Sequence, residues 1–103
     1  MPVVFFLNKL RAGVDPAEYE EWVRIVDYPT ARALTTINSY VVAKTATTLD
    51  GQPSPYDYIE RVEVTNIDDY RNELANATGM DDFFKQWSSR VGESVAVHGE
   101  EIE

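Results

Sequence analysis

The chain has 103 residues, which suits one domain spanning 1–103, since single domains commonly run about 100–150 residues. Its 18 acidic residues against 9 Lys plus Arg give a formal net charge of −9. With no basic run, this disfavours nucleic acid and anionic membrane, both of which are bound through Lys and Arg. The absence of cysteine excludes disulfides, Cys-ligated zinc, iron–sulfur clusters and a thiol nucleophile.

A hydrophobic fraction of 44% is ordinary for a folded chain. A core of this size is marginal alone, so a homodimer is a natural way to bury more surface. No segment approaches the roughly 18 apolar residues of a membrane span. The start, Met1-Pro2-Val3-Val4-Phe5-Phe6-Leu7, lacks the positive region and cleavage site of a secretory signal, so a cytoplasmic location is expected.

In chain order, Val3 to Leu10 reads as a buried strand. Asp15-Pro16-Ala17-Glu18 opens a helix, with Asp15 as cap, Pro16 at the first position and Glu18 closing a capping box. Tyr19, Trp22, Val23 and Val26 form one apolar stripe. Pro29 pushes Tyr28 away from helical angles, so the helix is expected to end or kink there and resume briefly over Thr30 to Leu34. Ile37 to Thr47 is a second strand. Asp50-Gly51 favours a reversal, and Tyr56 to Val64 follows as a third strand. Its alternation puts Tyr58, Glu60, Val62 and Val64 on one face. Asn66 or Thr65 caps a helix carrying Ile67, Tyr70, Leu74 and Ala77, which Gly79 stops. Asp81 or Asp82 begins a further helix with Phe83, Phe84 and Trp87. Glu93 to Ile102 is a last strand, with Ala96 and His98 on one face. The order β-α-β-β-α-β implies an α+β, ferredoxin-like fold: an antiparallel sheet with helices on one side. A second copy covering the free face would make a dimeric α/β barrel.

His98 is the only histidine, and the one side chain that moves protons near neutral pH without tuning; a solvated strand-end role is the alternative. Asp27, where the helix breaks, either faces a cavity mouth or caps the turn that follows. Glu60 is either a buried carboxylate with a raised pKa, and so a candidate for proton transfer, or one half of an ion pair across the sheet. Asn8 is a polar residue in an apolar run, bonding a ligand or a neighbour. Tyr19, Trp22, Tyr28 and Trp87 suit a planar apolar ligand or a packed core. One histidine and no cysteine argue against a transition-metal site, although a single histidine can bind haem axially. No Gly-rich phosphate loop offers a seat for a nucleotide cofactor.

The opening Val3-Val4-Phe5-Phe6-Leu7-Asn8, the block Trp22-Val23-Arg24-Ile25-Val26-Asp27-Tyr28-Pro29-Thr30 and the close Val95-Ala96-Val97-His98-Gly99-Glu100-Glu101-Ile102 together resemble the RedY/HapK family. The resemblance implies the dimeric α/β barrel. It also implies a biosynthetic role in bacterial indole and pyrrole natural products, such as prodiginines and bisindole alkaloids: cyclising or steering a reactive heteroaromatic intermediate without a cofactor. On it, His98 is the first choice for a proton shuttle and Asp27, beside Tyr28, the second. Two rivals stand beside this expectation: a non-catalytic dimer that sequesters a hydrophobic metabolite, and a haem-dependent enzyme of the same barrel class.

Overall fold

Strand β1 spans Pro2–Leu10 in the computed structural model, which describes residues 1–103. Its side chains alternate between two faces. Val4 and Phe6 pack with helix residues such as Ala31 and Tyr70, while Phe5 and Leu7 share the other face with Val97 and Val95. The remaining strands are β2 (Ile37–Lys44), β3 (Tyr58–Val64) and β4 (Val91–Glu100). They pair in the order β2-β3-β1-β4, every pairing antiparallel. This is the ferredoxin-like α+β architecture, with one sheet face covered by helices and the other bare.

Helix α1, Pro16–Trp22, begins as its sequence dictates: the Asp15 carboxylate accepts the Ala17 N–H at 3.1 Å. Glu18 does not close a capping box. Its carboxylate instead accepts from the Arg90 guanidinium at 2.9 Å, tying α1 to the last helix.

The helix does not end at Tyr28, although its regular form is disturbed there. The chain passes through a π turn, Val23–Asp27, into α2, Tyr28–Arg32. Tyr28 keeps helical angles (φ −58, ψ −50), and its N–H donates to the Val23 carbonyl. Pro29 lacks an N–H, and its ring crowds the preceding turn of a regular helix. The wider π turn absorbs that misfit without ending the helix, a device often found at functional sites. Asp27 is its last residue.

Helix α3, Ile67–Asn76, is capped by Asn66, whose side chain accepts the Asp69 N–H at 3.0 Å. Gly79, at φ 86, then turns the chain into α4, Met80–Arg90. That left-handed angle disfavours any residue with a Cβ.

Two apolar clusters hold the helices to the sheet. Val4, Ala31, Tyr40, Val62, Val64 and Tyr70 form one; Tyr19, Trp22, Val23, Tyr58 and Val91 form the other. Tyr58 and Val62 belong to different clusters, and Glu60 lies between them on the same face of β3. The core is therefore divided by a polar seam.

A separate clamp fixes the α2–β2 connection. One Glu73 carboxylate oxygen accepts from the Thr35 N–H (2.9 Å) and hydroxyl (2.7 Å), and the other from the Thr36 N–H (2.9 Å) and hydroxyl (2.6 Å). Burial works against the charged form. The hydrogen bonds from Thr36 and Thr35 outweigh it and hold the carboxyl down to about 2. A depressed carboxyl stabilises the fold above its ordinary pKa and loses that contribution as pH falls towards 2. Glu73→Ala is expected to cost about 1.5–3 kcal/mol at neutral pH, the range for hydrogen bonds to a charged group. In denaturant melts, its difference from the parent should shrink steadily below about pH 4.

Candidate functional site

A cavity of about 160 Å³ lies between the sheet and helices α2, α3 and α4. Its walls are mostly apolar and include Phe6, Leu34, Tyr70, Phe83 and Trp87. The exposed ring of Phe84 marks its open side. Its polar lining converges on Asp27, Tyr40 and Glu60.

These three form one hydrogen-bonded unit. The Tyr40 hydroxyl lies 2.7 Å from Asp27 Oδ2 and 2.5 Å from Glu60 Oε1. Asp27 is 2% exposed and Glu60 5%. On the far side of Glu60, the Asn8 amide donates to Oε2. The Asn8 carbonyl oxygen in turn accepts from the Ser94 hydroxyl at 2.6 Å. The Tyr28 ring meets the Tyr40 ring edge-on with centroids 5.6 Å apart, and its hydroxyl accepts the Val42 N–H at 2.9 Å. Tyr28 thus holds Tyr40 in place without lining the cavity.

Counting hydrogens assigns the protonation state. A phenol carries one O–H and can donate to only one of two carboxyl groups. The other must carry a proton and donate to the phenol oxygen. Burial pushes the Asp27 carboxyl up to about 7, with the nearby Glu60 charge adding to the effect, against a partial offset from the Tyr40 hydrogen bond. Burial raises the Glu60 carboxyl too, opposed by hydrogen bonding from Tyr40, Asn8 and the neighbouring Trp87. Glu60 has more donors and Asp27 has one partner. The proton therefore resides on Asp27, which donates to Tyr40, and Tyr40 donates to ionised Glu60. The same burial and the two acidic neighbours hold the Tyr40 hydroxyl well above its ordinary pKa.

Asp27 makes no capping hydrogen bond to α2, and Glu60 is not one of the ion-paired carboxylates, so neither bland alternative for these two residues describes their geometry. Asp27, Glu60 and Trp87 meet at the cavity, with Asn8 directly behind. Tyr19 and Trp22 do not line it; they belong to the second apolar cluster. Trp22 stacks on Phe83 with centroids 5.6 Å apart, and its indole N–H donates to Gln86 at 2.9 Å. The fully buried Tyr19 hydroxyl has no partner.

His98 requires the largest correction. It is on the helix-side face of β4, paired with Val4, but it does not point into the enclosed cavity. β4 is the outer strand, and every residue of it after Val91 is exposed. Helix α3 touches it through Arg71 without covering it. His98 instead lies on a separate groove, with Nε2 3.3 Å from Arg71 Nη2. Tyr40 is the residue that sequence reasoning missed. Its signal was the helix-facing parity of β2, which becomes informative only once the register sets Tyr40 opposite Val62 and Val42 opposite Glu60.

The profile of the REDY-like protein HapK matches residues 2–102. A search of curated protein sequences returns no match. Among solved structures, HapK from Hahella chejuensis superposes with a TM-score of 0.77 at 22% identity, over 99% of this chain and 93% of that one. The Arabidopsis thaliana protein At3g17210 gives 0.81 at 12% identity, over 100% and 97%. A dimeric ferredoxin-like protein of unknown function from Thermobifida fusca gives 0.71 at 15%, over 95% and 88%. Identities this low speak for the shared fold and not for a shared reaction. The profile, however, covers nearly the whole sequence, and on that ground the chain belongs to the REDY-like HapK family.

Proposed function

We propose that this protein is a cofactor-free enzyme of the cyclase or isomerase type that moves protons on a small aromatic or heteroaromatic intermediate. Asp27, Tyr40 and Glu60 do the chemistry. The observation that carries this reading is the pair of buried carboxyl groups sharing one phenol at the polar end of an apolar cavity. Two such groups, one protonated and one ionised, supply an acid and a base in the same site.

The proton balance closes within the three residues. Glu60 removes a proton from one substrate atom, and Asp27 delivers its proton to another. Tyr40 then accepts from Glu60 while passing its own proton to Asp27, which restores the starting state. No net proton is consumed, as an isomerisation or ring closure requires. A closed, apolar setting strengthens these charges and fixes the substrate in one orientation.

The cavity of about 160 Å³ limits the guest. A dry cavity of roughly 150 Å³ accommodates a benzene-sized molecule. One ring of an indole- or pyrrole-derived substrate therefore sits inside, with the remainder passing Phe84. The resemblance to natural-product proteins points to that chemical class. The test is to generate a reactive indole-derived intermediate in situ and resolve its products by mass spectrometry. The parent protein is expected to redirect the product ratio, and Glu60→Gln and Tyr40→Phe are expected to leave it at the uncatalysed value. An unchanged ratio with the parent, or an undiminished effect with both variants, contradicts the proposal and favours simple sequestration.

The reading includes a homodimer formed through the bare sheet face. Phe5, Leu7 and Ile59 share that face with Val41, Val95 and Val97, and the last three are 49%, 43% and 51% exposed. Arg61 stands between Val41 and Phe5 on this face; the apolar residues around it make a surface of the kind that marks an interaction site. Val97→Asp would put a charge beside Phe5 on the apolar part of this face and is expected to shift the protein to a monomer in light scattering. A parent that is itself monomeric at micromolar concentration would refute the dimer.

A further inference from the structure

The exposed groove beside β4 joins an apolar lining to the side chains of Arg71 and His98. It has a volume of about 180 Å³. Val4, Phe6, Tyr70 and Ala96 form its walls, and Arg71 and His98 stand at its rim. No acidic side chain lines it, although the chain carries 18 acidic residues and a net charge of −9. Arg71 comes from α3 and His98 from β4, so the pairing is tertiary and not a by-product of one element.

Their contact is informative. Arg71 Nη2 lies 3.3 Å from His98 Nε2. A guanidinium can only donate, so in this contact the imidazole nitrogen is the acceptor. The other partner of Arg71 is Asp68, on its own helix, at 3.6 Å, with a side chain 91% exposed; such a pair holds a guanidinium weakly. Arg71 therefore presents unused N–H donors above an apolar floor, next to the imidazole of His98.

We propose that this groove is a binding site for a small organic carboxylate: the acid group on Arg71 and His98, the apolar body against Phe6 and Tyr70. A planar fork of N–H donors matches a carboxylate, and the apolar walls reject a fully hydrated anion. Phe6 and Tyr70 also line the inner cavity, so the two compartments share a wall. The inner cavity opens at Phe84, which does not line the groove, so the acid site is separate from the site proposed to do the chemistry.

His98 is the sole histidine, so its ring Cε1–H proton gives an unambiguous NMR signal. Phenylacetate serves as the probe and phenylacetamide as its neutral counterpart. Phenylacetate is expected to move the His98 signal saturably, and the amide to move it little. Arg71→Gln, on an exposed helix surface, is expected to weaken phenylacetate binding about tenfold or more, the effect of losing a charge-assisted contact. Glu60→Gln should leave this binding unchanged, so loss of turnover and loss of the acid site are read separately. No saturable movement with phenylacetate, an equal response to the amide, or full binding by the Arg71 variant would each overturn the site.

Discussion

Asp27→Asn is expected to make the protein more stable at and above pH 7, by up to about 4 kcal/mol, while removing its acid. The Asp27 carboxyl is raised from 3.8 to about 7, chiefly by burial and then by the Glu60 charge. Between those pH values the native state keeps a proton that the unfolded chain releases. The contribution of this group to stability therefore falls as pH rises from about 4 to about 7, then levels off. A difference of about three pKa units, at 1.36 kcal/mol each, gives the stated size. Asparagine donates to the Tyr40 oxygen as the protonated acid does, so its stability has no such pH slope. Denaturant midpoints between pH 4 and 8 measure this directly. Parallel profiles for parent and variant would contradict the assignment of the buried proton. A gain in stability together with a loss of activity is the behaviour expected of a functional group kept in place at a cost to the fold.

Glu60→Gln is expected to lower turnover by about 10²–10⁴-fold, the usual contribution of a positioned acid or base. The variant retains shape and most hydrogen bonds: its carbonyl oxygen accepts from Asn8, and its amide N–H donates to Tyr40. That arrangement forces the Tyr40 O–H towards Asp27, which then has to accept. The substitution thus removes the base, deletes the negative neighbour of Asp27 and reverses the direction of the relay. Asp27 should ionise at lower pH in this variant, flattening the upper part of the stability profile. A Glu60 variant with full turnover would place the chemistry elsewhere in the molecule.

Much of this arrangement was legible before any coordinates. The alternation of Tyr58, Glu60, Val62 and Val64 fixed the buried face of β3, and Asn8 announced itself as a polar residue in an apolar strand. Local patterns of this sort carry side-chain parity and little else. Parity identified the face of His98 correctly, yet its burial depended on β4 being an outer strand that the helices touch without covering. Strand order is set by long-range pairing, which period-2 alternation does not encode.

The same limit hid Tyr40. Nothing in Ile37–Lys44 distinguishes it from a core tyrosine until register brings its hydroxyl between two carboxyl groups. Tyr19 and Trp22 failed in the opposite sense. Their stripe identified a buried helix face, and a stripe does not say whether that face meets a cavity or a packed core. Pro29 marked where the regular helix is disturbed but not how, because the rule for a residue before proline assumes a regular α-helix on its N-terminal side. A π turn relaxes that assumption, and it does so at Asp27, where the site needs a carboxylate turned inward.

The central claim is that one of two buried carboxyl groups keeps its proton close to neutral pH and that Asp27 holds it. Infrared spectroscopy at pH 6 reads this without a substrate, through the carbonyl stretch of an undissociated acid, which is distinct from that of a carboxylate. Such a band is expected in the parent and should vanish in Asp27→Asn. A parent spectrum at pH 6 with no undissociated-acid band, or a band that survives loss of the Asp27 carboxyl, would contradict it.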